Sequence, residues 1–252
     1  MKYLIAFVLL IGSQRYLKAE NDFLPDYIHP CTITDPELKE CVKKEIQENL
    51  VLFTKGIPKL GVNSTDPVYL DNINIDGNGL KLEFTNAQMH GLSNSKLNQF
   101  DFDFNTESEE WIKIGIITNL SLTAQYTADG QILILPIKGQ GDALIECHGI
   151  EVEFSSKLQR VKGSKGDHLK LLAPTYKYDI ESTTFDLKNL FNGNKKIAES
   201  TLKFLNENWK QIMDDLAPPV VKQIVKTIVK TINKFFSKVT IARIMLGYEN
   251  KL

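Results

Sequence analysis

From Asn194 to Thr240 the apolar positions recur at three- and four-residue spacing. Ile197, Ala198, Thr201, Leu202, Leu205, Trp209, Ile212, Met213 and Leu216 mark one helical face. Beyond Pro218-Pro219, the residues Val220, Val221, Ile224, Val225, Ile228, Val229, Ile232, Phe235, Phe236 and Val239 fall within one half-turn. Lys222, Lys226, Lys230, Asn233 and Ser237 form the opposite, polar side. The prolines predict either two helices joined at that point or one long helix kinked there. A half-cylinder of apolar side chains about 30 Å long, at about 1.5 Å per residue, does not stay wet and needs a cover.

The middle of the chain offers one. From Val68 to Leu187 the period changes to two, as in Leu80, Leu82 and Phe84, or Phe100, Phe102 and Phe104. Ile112, Ile114, Ile116, Leu120, Leu122, Ala124 and Tyr126 predict one strand of unusual length. Asp129-Gly130 reads as a hairpin turn, with Ile132 to Ile137 as the return strand. Gly139 and Gly141 read as a bulge or sharp bend. Ile150, Val152 and Phe154, then Leu169 and Leu171, then Tyr176, Tyr178 and Ile180 continue the alternation. The fold class expected is α+β: long antiparallel strands with one apolar face, curled around the C-terminal helical segment.

The N-terminus changes the compartment. Lys2, the apolar run Tyr3 to Ile11 and the ending Leu17-Lys18-Ala19 describe a secretory signal peptide over residues 1–19, followed by a single domain over 20–252. The formal net charge is −1, and removing Lys2, Arg15 and Lys18 leaves 27 basic against 31 acidic residues, a net −4. That balance gives no global pull towards nucleic acid. In an oxidising compartment Cys31 and Cys41, ten apart, are expected to pair, leaving Cys147 as a buried thiol on a strand. The sequons at Asn63 and Asn119 fit secretion. Asp35-Pro36 predicts the start of a helix whose apolar face is Leu38, Cys41, Val42, Ile46, Leu50 and Phe53, stopped at Gly56-Ile57-Pro58.

Several stretches, in order, resemble the insect takeout and juvenile-hormone-binding protein family. They are Asp35-Pro36-Glu37-Leu38 running into Cys41; Lys55-Gly56-Ile57-Pro58-Lys59-Leu60-Gly61; His90-Gly91-Leu92-Ser93-Asn94; and Asp129-Gly130-Gln131-Ile132-Leu133-Ile134-Leu135-Pro136-Ile137 with Gly139-Gln140-Gly141. The most specific is Leu190-Phe191-Asn192-Gly193-Asn194, followed by Phe204-Leu205-Asn206-Glu207-Asn208-Trp209. The resemblance implies a strongly curved sheet wrapped around a long C-terminal helix, with an internal hydrophobic tunnel. It also implies a secreted carrier of a small elongated apolar ligand, such as a terpenoid hormone or fatty-acid-like lipid, and it supports the Cys31–Cys41 bridge.

Catalytic patterns are absent from the sequence. His29, His90, His148 and His168 lack metal-ligand spacing, and Gly91-Leu92-Ser93-Asn94-Ser95 lacks the second glycine of a nucleophile elbow. Glu107, Glu109 and Glu110 read as a solvated hairpin tip. No enzyme activity, cofactor or metal is therefore expected. The tunnel-lining candidates are Leu82, Phe84, Phe102, Ile114, Ile116, Leu120, Leu122, Ala124, Tyr126, Leu133, Leu135, Val152, Tyr176, Tyr178, Phe204, Trp209, Ile224 and Ile228. Tyr126, Tyr176 and Tyr178 would orient the ligand through their hydroxyls. The expected partner is a small apolar molecule bound by a monomer. The alternative is a peripheral lipid-surface protein using the basic amphipathic helix Val220–Val239, and a third reading is a signalling protein that docks on a receptor when loaded.

Overall fold

The computed structural model describes residues 23–77, 79–104 and 109–249. The signal-peptide expectation for residues 1–19, and Glu107, lie outside them. In chain order the elements are β1 (Cys31–Thr32), α1 (Leu38–Thr54), β2 (Val68–Tyr69), β3 (Ile73–Gly77), β4 (Leu80–His90), β5 (Lys96–Asp103), β6 (Trp111–Ile132), β7 (Leu135–Gly163), β8 (Gly166–Asp179) and β9 (Ser182–Leu187). They are followed by α2 (Lys195–Glu207), α3 (Trp209–Phe236), α4 (Ile241–Ile244) and β10 (Met245–Leu246).

The spine of the sheet is the antiparallel pair β6 and β7, 22 and 29 residues long. Each has two shorter strands along its outer edge: β4 and β5 share that of β6, and β9 and β8 that of β7. Both edges change partner at the level of a bulge, where Thr118 pairs with Ile150 and Leu120 with Cys147. The extra residue in β7 bends the sheet there. β2 and β3 extend it beyond β4.

Several sequence expectations need correction. Asp129-Gly130 is not the turn; it lies inside β6, and the turn is Leu133-Ile134, beyond the last pair Ile132 and Leu135. Gly130 has φ +128°, and a Cβ there would sit 1.9 Å from the Gly79 carbonyl oxygen. The glycine serves a close approach between strands, not a reversal. Gly139 and Gly141 pair regularly with Ala128 and Tyr126 without a bulge. Added Cβ atoms would come within 2.8 Å of the Tyr126 hydroxyl and the Lys188 carbonyl oxygen respectively, so they make room for the segment after β9. Of the two arrangements open at Pro218-Pro219 the continuous one is found, since both prolines lie inside α3; a join at the prolines is not, and the helical segment breaks at Asn208. The missing proline amides free the Asp214 and Asp215 carbonyls, and both aspartates are exposed, where water can satisfy them.

The helices dock on the sheet's borders through carboxamides. Asn206 of α2 accepts from the Phe185 amide at 2.7 Å and donates to its carbonyl at 3.1 Å, completing edge strand β9. Asn233 of α3 does the same to Leu171 of β8, at 2.7 and 3.1 Å. Asn233 therefore does not join the solvated face with Lys222, Lys226 and Lys230, which are exposed. Gln47 of α1 bridges Leu97 and Ser95 at β5, and Gln223 of α3 donates to the Asp71 carbonyl at 3.0 Å.

The two termini close one end. Cys31 and Cys41 are bridged, and β1 pairs in parallel with β10. Glu110, read from the sequence as a solvated tip residue, is buried instead. It pairs with Arg160, whose guanidinium lies 4.3 Å from the Phe104 ring centre and 5.3 Å from that of Tyr248. Its neighbour Glu109 is exposed and pairs with Lys157. Tyr248 donates to buried Asp167 at 2.8 Å, and Lys162 lies 3.4 Å from the same carboxylate. The tyrosine hydroxyl and Lys162 hold the Asp167 carboxyl below its usual range.

Two predictions follow from these contacts. Asn206→Ala or Asn233→Ala strands two strand-edge groups and should lower stability by roughly 1–3 kcal/mol, against less than about 0.5 for Lys226→Ala. Urea unfolding reads this, and equal losses at Asn233 and Lys226 would contradict the docking role. For Asp167, a depressed native pKa stabilises the fold above the unfolded carboxylate value of about 3.9. That contribution is lost as pH falls through the native value. The melting temperature should therefore drop below about pH 4, and Asp167→Asn should flatten that drop while lowering stability at neutral pH.

Candidate ligand-binding site

Apolar side chains gather in three packed clusters, and the interval between them is the candidate site. One cluster joins Met89, Tyr126, Leu190, Leu205 and Ile212 where β4, β6 and β9 meet α2 and the start of α3. A second, around Phe102, Leu169, Ile241 and Met245, and a third, around Ile57, Leu60, Phe235 and Val239, lie towards the other end of α3.

Along α3 full burial is reached at Ile212 and Ala217 and again at Thr231 and Phe235. From Pro218 to Lys230 no side chain reaches it, although Val220, Val221, Ile224, Val225, Ile228 and Val229 all belong to the apolar side. α3 has its most extensive contacts with β8, β9, β3, β2 and α2, and no comparably extensive contact with the central strands β6 and β7.

The sheet shows the same interval. Its register lines up Phe100, Ile114, Phe154 and Tyr176 across β5, β6, β7 and β8, and beside them Leu97, Ile116, Val152 and Tyr178. All eight are half-buried. Ile112, two residues from Ile114, packs in the second cluster, and Leu120 and Leu122 pack against the first. Alternation therefore puts Ile114 and Ile116 on the same, helix-facing side. Ile114, Ile116, Val152, Phe154, Val221, Val225 and Val229 belong to none of the three clusters.

The structure distributes the sequence candidates unevenly. Leu82, Phe84, Ala124 and Tyr126 lie inside the first cluster and Phe102 inside the second. Leu120, Leu122, Leu133, Phe204, Trp209, Ile224 and Ile228 are half-buried against the first. Leu135 is half-buried beside the β6–β7 turn. Ile114, Ile116, Val152, Tyr176 and Tyr178 stand in the cross-sheet rows. Leu97, Phe100 and Phe154 complete those rows and were not singled out, because only strand register brings them together.

The tyrosines differ in what their hydroxyls do. Tyr126 donates to the Lys188 carbonyl at 2.7 Å, and burial pushes its pKa up to about 12. It is a buried strut. Among the described residues Tyr176 and Tyr178 have no hydrogen-bond partner for their hydroxyls; burial raises the Tyr178 pKa, followed by the effect of Tyr176 and of Asp214 on α3. Cys147, opposite Leu120 in the register, is free and receives a Thr183 hydroxyl contact at 3.5 Å. Among the described residues no group of three His, Cys, Asp or Glu side chains is placed to hold a metal ion, and no helix is long and apolar enough to cross a membrane.

Comparison with known proteins gives consistent results. The family model described as haemolymph juvenile hormone binding protein matches residues 4–246. The circadian clock-controlled protein daywake of Drosophila melanogaster is 28% identical over 228 residues, covering 85% of this chain and 86% of that protein. Its Drosophila yakuba counterpart is 30% identical over 223 residues, covering 84% of each. The crystal structure of Epiphyas postvittana Takeout 1 superposes with a TM-score of 0.79 at 30% identity, covering 87% of this chain and all of that one.

Burial raises the Cys147 pKa, with the Thr183 contact acting weakly in the opposite sense. Since the thiolate is the reactive form, a water-soluble aromatic disulfide reagent at pH 8 should modify the native protein at least about tenfold more slowly than the unfolded chain. Equal rates would show that this face of β7 is open to solvent.

Proposed function

The chain belongs to the haemolymph juvenile hormone binding protein family, and we propose that it is a secreted carrier holding one elongated apolar molecule in a lumen between the sheet and α3. The observation that carries this reading is the matched half-burial of two opposed apolar surfaces. Protein interiors are close-packed, so a filled contact between Ile114, Ile116, Val152 and Phe154 on one side and Val221, Val225 and Val229 on the other would bury both. Their shared exposure is what unfilled apolar space between two packed ends produces.

The energetics suffice without chemistry. A ligand burying roughly 300 Å² of apolar surface gains about 7 kcal/mol gross at about 25 cal/mol per Å², before association losses. Tyr176 and Tyr178 supply hydroxyls at one border of the lumen, where they would orient an oxygen on the ligand. A solubilising carrier needs no catalytic group. It would act as a monomer, as one domain over residues 20–252 after removal of 1–19. Exposure of Asn63 and Asn119 supports glycosylation at the two sequons, with the Asn119 carboxamide oxygen accepting from the Gly149 amide at 2.8 Å.

A lipid-surface role for the amphipathic helix is less well supported. An interfacial helix presents its apolar side to the membrane, whereas Val220, Ile224 and Ile228 pack against the first cluster, and the exposed side chains between Val220 and Phe236 are those of Lys222, Lys226, Lys230 and Lys234.

The test separates lumen from core. Delipidated protein should bind N-phenyl-1-naphthylamine at one site per chain. Ile116→Trp should weaken binding at least tenfold, about 1.4 kcal/mol, while shifting the melting temperature by only a few degrees, because it fills space instead of overpacking a core. Phe84→Ala should lower stability by about 3–5 kcal/mol and leave the affinity of the folded protein unchanged. A wild type that binds no apolar probe would overturn the carrier reading.

A further inference from the structure

The turn Pro58–Leu60, the β7–β8 hairpin tip and the C-terminal end of α3 enclose a cleft of about 650 Å³, separate from the interval between sheet and helix. Its lining includes Lys59, Lys162, Lys165, Lys170 and Lys238 and no aspartate or glutamate. In a chain of net charge −1 this is a strong local excess of one sign. Leu60 and Leu169 give the cleft an apolar floor, and exposed Val161 stands beside the hairpin tip.

Helix capping does not account for the lysines. Cations gather near helix C-termini, but the His168 Nδ1 proton already serves the Phe236 and Val239 carbonyls, at 2.8 and 3.1 Å. Internal neutralisation covers only part of the charge. Lys162 faces Asp167, and Lys59 lies 4.7 Å from the Phe23 ring centre. Lys170 and Lys238 have no carboxylate partner among the described residues.

From this geometry we infer that the cleft docks the phosphate head groups of an anionic phospholipid bilayer, so that the protein meets a membrane end-on. Phosphate is shared by lipid head groups and free metabolites, and three features favour the lipid. The charges are lysines, which act as point charges without the two-pronged grip of arginine on a single oxyanion. They ring an apolar floor, as suits an amphiphilic surface. They also come from three chain segments at one end of the molecule, so several meet a charged plane together.

The inference is independent of the carrier reading and is tested separately. Wild-type protein should co-sediment with phosphatidylcholine vesicles containing about one-third phosphatidylserine but not with pure phosphatidylcholine, and release as salt shortens the screening length below about 10 Å. Lys170→Glu with Lys238→Glu should lower partitioning at least about twentyfold, each lysine near such a surface counting about fivefold. Lys222→Glu with Lys226→Glu, on the outward face of α3, should change it less than about twofold. The neutral pair Lys170→Gln and Lys238→Gln removes the two charges without reversing them and should itself cost about twentyfold at about fivefold per lysine, and it decides the matter if charge reversal disturbs folding. Naphthylamine binding, measured on the same variants, should stay unchanged. Absence of sedimentation with anionic vesicles, or an equal loss from the α3 pair, overturns the proposal. So does full release by soluble glycerophosphoserine at matched phosphate, which would assign the cleft to a free anion.

Discussion

The side-chain carboxamides at the sheet's borders hold the architecture together. A sheet built on two long strands with shorter ones along their outer edges exposes many unpaired backbone groups, which are costly when buried and invite wrong pairing when not. Here β9 is completed by Asn206, β8 by Asn233 and β5 by Gln47, while Gln223 reaches the link between β2 and β3. Asn206, Asn233 and Gln47 each donate and accept, so each extends a strand by one residue's worth of hydrogen bonding, whereas Gln223 only donates. Because these contacts are directional, they also fix where each helix sits, which apolar contact alone does not.

That mode of docking permits a partly filled middle. If α3 were held only by burial, it would settle wherever contact with the sheet was greatest, and the side chains from Pro218 to Lys230 would be buried like those at Ile212 and Phe235. Tied instead to the borders, it spans the central strands while packed clusters at both ends supply the hydrophobic stabilisation. The bulge at Thr118 and Ile150 acts in the same direction, since it bends the sheet at the level where both edge strands change. Empty apolar volume destabilises by roughly 24 cal/mol per Å³ where a packed core is hollowed out. On the carrier reading proposed above, a lumen between two packed ends would need strong ends, and both carry extra ties. At one end the Cys31–Cys41 bridge and the Glu110–Arg160 pair hold the termini, and at the other Tyr126 struts the segment after β9.

What the sequence revealed and what it concealed divide along one line. Local period identified α3, the long strand β6 and the apolar side of α1, and nearness of Cys31 to Cys41 identified the disulfide. Features that depend on a distant partner were misread. Asp129-Gly130 has turn composition, yet its glycine answers to Gly79 across the strand pair. Pro218-Pro219 left two arrangements open, and the continuous helix is the one found, with exposed Asp214 and Asp215 carrying the carbonyls the prolines leave without a partner. Asn233 sits among lysines on a helical wheel and nonetheless belongs to β8, and Glu110 looks like a tip residue until Arg160 is brought beside it. The candidate site was legible as a class of residue but not as a set. Ile114 and Phe84 look identical in an alternating strand, and only the register and the helix above them place one in a dry cluster and the other in the half-buried interval.

The same reasoning separates the two groups of lysine. Lys222, Lys226 and Lys230 lie along a convex helical surface, each surrounded by water, where a charge serves chiefly to keep the outer side of α3 wet. Lys59, Lys162, Lys165, Lys170 and Lys238 converge from three segments on a concave wall, where Asp167 faces Lys162 while Lys170 and Lys238 have no carboxylate partner among the described residues. Like charges brought together in a concave site repel, and that repulsion is relieved by a counter-charge from outside the chain. A helical wheel detects only the first group, because the second forms when the β7–β8 hairpin folds back against the end of α3. Charge pattern along the chain therefore points to the helix face, while charge density in space points to the cleft, and it is density that determines where an anionic surface would be held.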